Sequence, residues 1–533
     1  MLFDERFDAE RDALAKEWGP LVCDAVPALC ALAGKYRGGV DATYVSFHHG
    51  TFNLCFRLHW DDGEEDWLIR FPIPGKAFFT EEMVHNEVAL MEYLHKNTSV
   101  PVPKVIAHGT ADENPAGVGP FIIMTWIDGV RMVDLIRDKN TADGEDPRLD
   151  PNIGEEALLK LYSQVSKVLL DLWSLDFNSI GCFDFNKEGN TLEIKRPPFT
   201  IGGMELVKFG GFPETRLFSN TFSSSLDYFT ALADNHFKHL EDQLNSVDNS
   251  RDCRQKYACR YLFKSIVTLF TKKEDNNGPF KLFCEDLSPA NILVDPKTLK
   301  ITGVIDWEFS YIAPAQFAAA PPEWLMLKNM DHIVEDEGLE NTLRSYMPKF
   351  ELFLRALEMA EEERYPSSDR YHTTDADKKL SIRMRQSLED KTVWFNLALR
   401  NGWVLDSLYW LILDGHIYGK APIMERVART TGDGDMHRNR ESFVRSKIED
   451  LKEYNKAMDI IGRVEYEEPA DDETPGHWKK PASKDTGTQV GVEVFDPFLR
   501  RAQAFAALRA SFAVMFSMAI IATGIALIRE TLR

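Results

Sequence analysis

The chain has 533 residues, of which 44% are hydrophobic and 27% are charged. Its length exceeds that of an ordinary single domain, and its composition is that of a globular protein. The formal net charge of −22 argues against DNA or RNA as a partner, because binding to a phosphate backbone requires clustered lysine and arginine side chains. A single nucleotide needs only a local positive site, so this charge does not exclude one.

The cysteines and the N-terminal residues indicate the compartment. The seven cysteines are odd in number and form no Cys-x-x-Cys pair, which argues against a disulfide framework or a structural zinc site. The first residues, MLFDERFDAERDALAKEW, are acidic and contain no apolar stretch, so we expect neither a secretory signal nor a transit peptide. Together these features predict a cytoplasmic protein.

The first part of the chain changes from helix to strand. Residues 1–42 read as an amphipathic helical extension that ends at Gly38-Gly39. Runs rich in β-branched and aromatic residues follow at 43–47, 54–60, 66–72 and 120–124. Residues 80–96 have apolar side chains at helical spacing. This order predicts a small sheet with one helix.

The second part of the chain is mainly helical by the same criteria. Helices are predicted at 155–174, 223–247, 253–272, 336–363 and 376–414. The stretch 180–222 contains many glycines and is predicted to be irregular. Trp394, Trp403, Tyr409 and Trp410 could line an acceptor pocket, but we favour a helical core for them, because buried aromatic residues are common.

The C-terminus combines a polar stretch with an apolar one. Residues 464–497 are rich in Pro and Gly and are predicted to be a flexible linker. Ala510–Ile528 contains no charged residue, and as a helix it would span about 28 Å, close to the thickness of a bilayer core. We expect a tail anchor that leaves the globular part in the cytosol. The alternative is an apolar helix that packs on the body or in a homodimer.

One motif carries the chemistry. Asp286 precedes Asn291 by five residues, and Asp306 follows Asn291 by fifteen. The apolar runs 292–294 and 304–305 lie between them and predict a β-hairpin. Phosphoryl transfer needs such groups: a carboxylate that orients a hydroxyl, and an amide and a carboxylate that hold magnesium on the phosphates.

The letters of this motif resemble a known family. DLSPANILVD at 286–295, followed by IDWE at 305–308, is similar to the aminoglycoside phosphotransferase family of small-molecule kinases over roughly residues 43–420. The resemblance implies an α+β, two-lobed, protein-kinase-like fold with a small antiparallel N-lobe and a mainly helical C-lobe. We place the boundaries at 1–42, 43–124, 125–463, 464–497 and 498–533, the last segment being a C-terminal apolar helix.

The resemblance also implies the roles of the motif and its partners. Asp286 would contact the acceptor hydroxyl as the catalytic carboxylate, while Asn291 and Asp306 would hold Mg²⁺. Arg70 would bind the phosphates of ATP in place of the usual lysine, paired with Glu87 on the following helix. Lys76 is a second candidate for the cationic role.

Two further segments are implied to bind the nucleotide. Gly50, Thr51 and Asn53 correspond to the short glycine loop that covers the phosphates. The backbone of Thr125 and Ile127 corresponds to the connection between the lobes, which hydrogen-bonds adenine.

The predicted function is therefore ATP-dependent phosphorylation of a hydroxyl group on an unidentified small molecule. Cys284-Glu285 stands where the family usually has His-Gly, and this departure keeps an alternative open. The alternative is a catalytically weak or inactive kinase-like binding module tethered to a membrane.

Overall fold

A computed structural model describes residues 4–141, 147–186, 191–328, 338–365, 379–419 and 435–458. The predicted linker at 464–497 and the apolar stretch Ala510–Ile528 lie outside these residues. Among the helices within them, none combines the length and the apolar character needed to cross a membrane.

The N-terminal part is built on a five-stranded sheet. Its strands are β1 (Thr43–His49), β2 (Asn53–His59), β3 (Trp67–Pro72), β4 (Val105–Gly109) and β5 (Phe121–Thr125). They are antiparallel and lie in the order β1-β2-β3-β5-β4. Alternate side chains of β2, Leu54, Phe56 and Leu58, are buried, as period-two patterning requires. The predicted antiparallel N-terminal sheet is confirmed.

Three helices accompany the sheet: α1 (Glu5–Asp24), α2 (Val26–Lys35) and α3 (Thr80–Asn97). On α3, Val84, Val88 and Met91 form the buried stripe. The predicted extension contains two helices, α1 and α2, which share a hydrophobic core with the sheet. Trp18 on α1 donates from its indole nitrogen to the Val118 carbonyl oxygen at 2.9 Å. The extension is thus part of the N-terminal domain core.

The C-terminal part is mainly helical. Its helices are α4 (Met132–Ile136), α5 (Glu155–Trp173), α6 (Ile201–Gly210), α7 (Ser225–Asp242), α8 (Ser250–Phe270), α9 (Ala315–Ala318), α10 (Leu339–Arg364), α11 (Leu380–Glu389), α12 (Thr392–Arg400), α13 (Leu405–Leu408), α14 (Asp414–Tyr418) and α15 (Asp435–Ala457). Its short strands are β6 (Val130–Arg131), β7 (Cys182–Asn186), β8 (Thr191–Arg196), β9 (Lys281–Cys284), β10 (Ile292–Val294), β11 (Ile301–Val304) and β12 (Ser310–Ala313).

Two sequence-based predictions of helix and loop were wrong. The stretch 376–414, which is described from residue 379 onward, is not one helix, because Lys391 adopts a left-handed conformation with φ of 68° and residues 401–404 separate α12 from α13. A π-helical turn, Tyr409–Leu413, follows α13. The stretch 180–222 is not irregular throughout, since it contains the β7–β8 hairpin and α6.

The motif that contains Asp286, Asn291 and Asp306 lies on paired strands. β10 and β11 form the predicted hairpin, and β6 joins it from the connection between the lobes. β9, which ends at Cys284, pairs with β12, so the residues on either side of the hairpin are also fixed by backbone hydrogen bonds. These pairings place the loops that carry Asp286 and Asp306 next to each other.

Candidate active site

Arg70 lies at the centre of a carboxylate cluster. Its Nη1 donates to Glu87 Oε1 at 2.8 Å, which confirms the predicted contact. Its Nη2 donates to Asp306 Oδ1 at 2.8 Å and to Glu308 Oε2 at 2.6 Å. Burial alone would lower the pKa of Arg70, but the three carboxylates raise it well above its usual value. The guanidinium therefore stays charged and joins strand β3, helix α3 and the loop that carries Asp306 and Glu308.

Glu87 contacts the loop that carries Asp306 directly, in addition to its contact with Arg70. Its Oε1 also accepts a hydrogen bond from the backbone N–H of Trp307 at 3.2 Å. Glu87 is buried, and burial raises its pKa although Arg70 opposes the shift. Glu87, which was predicted to lie opposite Arg70, thus also holds the backbone of Trp307, the residue after Asp306.

Glu308 is a further member of the cluster, and no separate role was predicted for it. Its side chain is buried and accepts from Arg70 and from Asn53 Nδ2, the latter at 2.7 Å. Burial raises the pKa of Glu308 well above its usual value. The sequence IDWE does show a second acidic residue two positions after Asp306. The contacts of Glu308 could not be predicted from it, because Asn53 and Arg70 lie more than 200 residues earlier in the chain.

Asp286 is oriented by Asn291. The Asn291 side-chain Nδ2 donates to Asp286 Oδ2 and to the Asp286 backbone oxygen, both at 2.9 Å. The Asn291 carbonyl in turn accepts a hydrogen bond from the Ile305 N–H at 2.9 Å. This bond links the loop that carries Asp286 to the loop that carries Asp306. Burial and the nearby Asp306 carboxylate raise the pKa of Asp286 to about 7. The carboxylate is therefore poised between its two protonation states near neutral pH.

The donor set at Asn291 and Asp306 suits magnesium. Because the Asn291 Nδ2 binds Asp286, its amide oxygen is the atom available to a cation. Mg²⁺ prefers such oxygen ligands and usually keeps waters or substrate phosphates for the rest of its shell. Within the described ranges, no group of three His, Cys, Asp or Glu side chains could hold a metal alone. A cation held by Asn291 and Asp306 would offset the acidic crowding at Asp286.

The glycine loop forms the tip of the β1–β2 hairpin. The Gly50 N–H donates to the Asn53 carbonyl at 2.9 Å, and no atom lies within 4 Å of the place where a Gly50 Cβ would be. Thr51 is exposed beside it. Asn53 instead points inward to Glu308. Gly50 and Thr51 are thus placed to meet a ligand, whereas Asn53 ties the hairpin to the cluster.

The connection between the lobes has fewer available donors than we expected. The N–H of Thr125 donates to the Lys104 carbonyl at 3.0 Å, and that of Trp126 donates to the Asp66 carbonyl at 2.8 Å. The N–H donor of Thr125 is therefore already used. The Ile127 side chain packs against Gly303, where an added Cβ would lie 2.8 Å from Ile127 Cδ1. The adenine contact expected of the Ile127 backbone stays a prediction.

Two other predictions are resolved by contacts. Lys76 is not a substitute for Arg70, because it forms an ion pair with Asp12 on α1. Trp394 and Tyr409 are fully buried and belong to the main hydrophobic core, as we favoured.

A cavity of about 310 Å³ opens at Asp286. Glu285 lies on its wall, and its Oε2 accepts from the Ile201 N–H at 2.6 Å, at the first residue of α6. Burial raises the pKa of Glu285 to about 7, although the nearby Arg400 opposes the shift. Glu285, the residue before Asp286, therefore joins the loop that carries Asp286 to the start of α6.

Comparison with known proteins finds the same family in the N-terminal part of the chain, outside the motif. Residues 43–166, which span the sheet, α3 and much of α5, match the phosphotransferase enzyme family APH. The chain is 23% identical over 332 residues to altered inheritance of mitochondria protein 9, mitochondrial, of Debaryomyces hansenii, with 54% of this chain and 50% of that protein covered. It is 26% identical over 289 residues to clavilactone A biosynthesis cluster protein Y of Ampulloclitocybe clavipes, with 51% and 62% covered. The chain thus spans about half the length of the curated relatives it matches.

Solved structures with a similar course include two kinases. A thermostable mutant of the aminoglycoside phosphotransferase APH(4)-Ia, in complex with AMP-PNP and hygromycin B, is 17% identical, with a TM-score of 0.35 and coverage of 79% of this chain and 98% of that one. An ethanolamine kinase of Plasmodium vivax is 14% identical, with a TM-score of 0.37 and coverage of 75% and 84%.

Proposed function

Because residues 43–166 match a phosphotransferase family, we propose that the chain is an ATP-dependent kinase that phosphorylates a hydroxyl group of a small molecule. The observation that carries this proposal is the junction of two groups of residues. Asp286 and Asn291 form one hydrogen-bonded pair, and Arg70 and Glu87 form the other. Asp306 lies between the two pairs: it accepts a hydrogen bond from Arg70, and its charge raises the pKa of Asp286.

The residues then act as follows. Asp286 orients the acceptor hydroxyl, whose oxygen attacks the γ-phosphorus of ATP. The bond from that phosphorus to the β–γ bridging oxygen breaks, ADP leaves, and the hydroxyl proton passes to the Asp286 carboxylate. Arg70 neutralises phosphate charge, while Gly50 and Thr51 lie over the phosphates and the Ile127 backbone meets adenine.

Mg²⁺ bound by Asn291 and Asp306 would supply electrostatic stabilisation of the phosphate oxygens. The Arg70–Glu87 pair places a positive charge beside that site, and the Asn291 hydrogen bond keeps the Asp286 carboxylate directed at the acceptor.

A second candidate is a nucleotide-binding module that does not turn over. It is favoured by one observation: in this structure Arg70 is bonded to Asp306, so both groups are engaged with each other. Purified full-length chain with Mg·ATP separates the two. A rise in Tm with ADP release on a panel of alcohols supports the kinase, a rise without turnover supports the module, and no rise contradicts both.

We also propose that Ala510–Ile528 tethers the chain to a membrane, with the kinase part in the cytosol. Several relatives carry the word mitochondrial in their names, which makes the mitochondrial surface the first membrane to test. A fluorescent fusion of residues 498–533 should co-localise with a membrane marker. A diffuse cytosolic signal would refute the tether.

A further inference from the structure

Helix α1 has two sides that differ in exposure. Ala15, Trp18 and Val22 are buried in the core that the helix shares with the sheet. Leu14 and Leu21 lie on the other side and are 45% and 62% exposed. Because they are seven residues apart, they lie two turns from each other on the same side of the helix. Two large apolar side chains exposed at this spacing are typical of a face that pairs with another helix.

The same side of α1 is acidic. Glu10, Glu17 and Asp24 are exposed and alternate with the two leucines at intervals of three and four residues. Among the α1 side chains that the structure describes, Lys16 is the only exposed cation. It lies about 100° round the helix from Glu17 and already interacts with a neighbouring group. Together the acidic and apolar residues of this side form the α1 stripe: Glu10, Leu14, Glu17, Leu21 and Asp24. The stripe suits a partner that is both apolar and basic.

The last described helix brings the chain back to α1. Helix α15 ends at Ala457, and its Tyr454 hydroxyl accepts a hydrogen bond from the Glu5 N–H at 3.3 Å. The Arg6 guanidinium lies 4.9 Å from the centroid of the Tyr454 ring. Residues 459–497 follow, and a random coil of roughly 40 residues spans about 35 Å on average. Since α1 is about 30 Å long, residue 498 can reach any point along the α1 stripe.

Residues 498–509, with the sequence FLRRAQAFAALR, have the properties that the stripe requires. Phe498 and Phe505 are seven residues apart, as the two leucines of the stripe are. In a helix, Arg501 would lie between the two phenylalanines on the same side, and Arg509 would follow Phe505 one turn later. The segment contains no acidic residue. Its apolar and charged positions therefore complement those of α1 at the spacing that two paired helices use.

We propose that residues 498–509 bind as a helix to the α1 stripe of the same chain. The phenylalanines cover the two leucines, and the arginines lie against the carboxylates. Isolated helices shorter than about 12–15 residues are marginal in water, so this helix forms as it docks. The contact brings the start of Ala510–Ile528 to α1, and a membrane that held this apolar stretch would then lie beside the N-terminal part of the chain.

Photo-crosslinking in the full-length chain tests the contact. Phe505 is replaced by p-benzoylphenylalanine, the protein is irradiated in dodecyl maltoside, and the cross-linked tryptic peptides are identified by mass spectrometry. We expect the label to attach within residues 12–24 of α1. Attachment only to another part of the chain, or only to detergent, would overturn the proposal.

Exposed positions of α1 supply the variants. Leu21→Glu sets an unpaired carboxylate against a phenylalanine and should lower the yield of this cross-link by about fivefold or more. Leu269 on α8 is 65% exposed, so Leu269→Glu is the matched control and should leave the yield within about twofold of wild type. Reversal of the charges in Arg501→Glu with Arg509→Glu should also lower the yield, and addition of Glu17→Arg should restore part of it.

The outcomes separate this contact from its alternatives. In an equal mixture of nitrogen-15-labelled and unlabelled chains, cross-links that stay within one isotope support the proposal, whereas cross-links between isotopes show that the segment binds a second copy and overturn it. Equal yields in Leu21→Glu and Leu269→Glu overturn it as well. If Leu21→Glu does not fold, the charge-reversal variants and their rescue decide. None of these results depends on ATP turnover, so the proposal can stand or fall independently of the kinase function.

Discussion

Arg70 Nη2 and Asp306 Oδ1 are 2.8 Å apart, so the side chain assigned to the phosphates and the side chain assigned to the metal hold each other. Glu87 and Glu308 occupy the other positions around the guanidinium. Phosphates and a cation entering the site would compete for both members of this pair. The pair therefore fixes Arg70 on β3 relative to the loop that carries Asp306.

The cluster makes Arg70 important for stability as well as for binding. Arg70→Ala should lower the free energy of unfolding by about 3–5 kcal/mol, because it leaves three carboxylates without their buried cation. Arg70→Lys should recover part of this loss, since an ammonium keeps the charge but not the planar fork. Urea unfolding measures both. A loss below about 1 kcal/mol in Arg70→Ala would contradict the role assigned to the cluster.

Removal of the Asp286 charge should affect turnover far more than nucleotide affinity. We expect Asp286→Asn to lower kcat by about 10²–10⁴-fold, the usual contribution of a general base, with little change in the Tm increase caused by Mg·ATP. Asp234→Asn, which removes a carboxylate from a surface ion pair with Lys264, is the control. Turnover that persists in Asp286→Asn would remove its catalytic role.

Glu285 gives the stability of the chain a pH dependence. Its folded-state pKa is raised by burial from the ordinary 4.5 to about 7, so the folded state favours the neutral acid. The resulting stability is complete below pH 4.5 and is lost as the pH rises through about 7. Glu285→Gln keeps an acceptor for the Ile201 N–H and lacks this loss. It should be more stable than wild type at pH 8 by up to about 3 kcal/mol, and by much less at pH 5.

Urea unfolding at the two pH values checks this prediction. Glu155→Gln, on the exposed start of α5, removes a carboxylate that pairs with Arg355 at the surface and is the control for the loss of an exposed glutamate. An equal difference between Glu285→Gln and wild type at the two pH values would show that the Glu285 carboxyl group does not change pKa on folding.

The start of α6 tolerates no side chain at Gly202. A Cβ there would lie 2.2 Å from the Arg400 carbonyl oxygen, a backbone atom that cannot move away cheaply. Gly202→Ala should therefore cost about 1–3 kcal/mol or more through overpacking and should weaken acceptor binding, because α6 forms a wall of the cavity. Gly154→Ala, where no atom lies within 4 Å of the added Cβ, should be close to neutral in thermal unfolding.

The family resemblance predicted the contact between Arg70 and Glu87, and the local pattern of apolar runs predicted the hairpin after Asn291; both are present in the structure. The spacing between Arg70 and Glu87 joins a strand to the next helix, and the hairpin between Asn291 and Asp306 closes within a few residues. The roles of Glu285 and Glu308 could not be found in this way, because their partners lie 84 or more residues away. Such contacts depend on how the lobes pack, which periodicity does not reveal.

The same limit applies to the fold. The N-terminal sheet was predictable because its strands are runs rich in β-branched and aromatic residues, and the side chains of β2 alternate between buried and less buried. The break in the stretch 376–414 was not, since helical periodicity continues across Asp390-Lys391 while the left-handed Lys391 ends the helix. The β7–β8 hairpin was hidden by glycines that resemble an irregular loop.

The N-terminal helix α1 connects distant parts of the chain. The indole of Trp18 binds the carbonyl of Val118 beside the sheet, the N–H of Asp4 donates to the Phe209 carbonyl of α6 at 2.7 Å, and the N–H of Glu5 donates to Tyr454 on α15. A fragment that began at residue 43, where the family match begins, would uncover the apolar face of the sheet and free one end of α6. The smallest unit that folds as described here thus starts well before the phosphotransferase homology does.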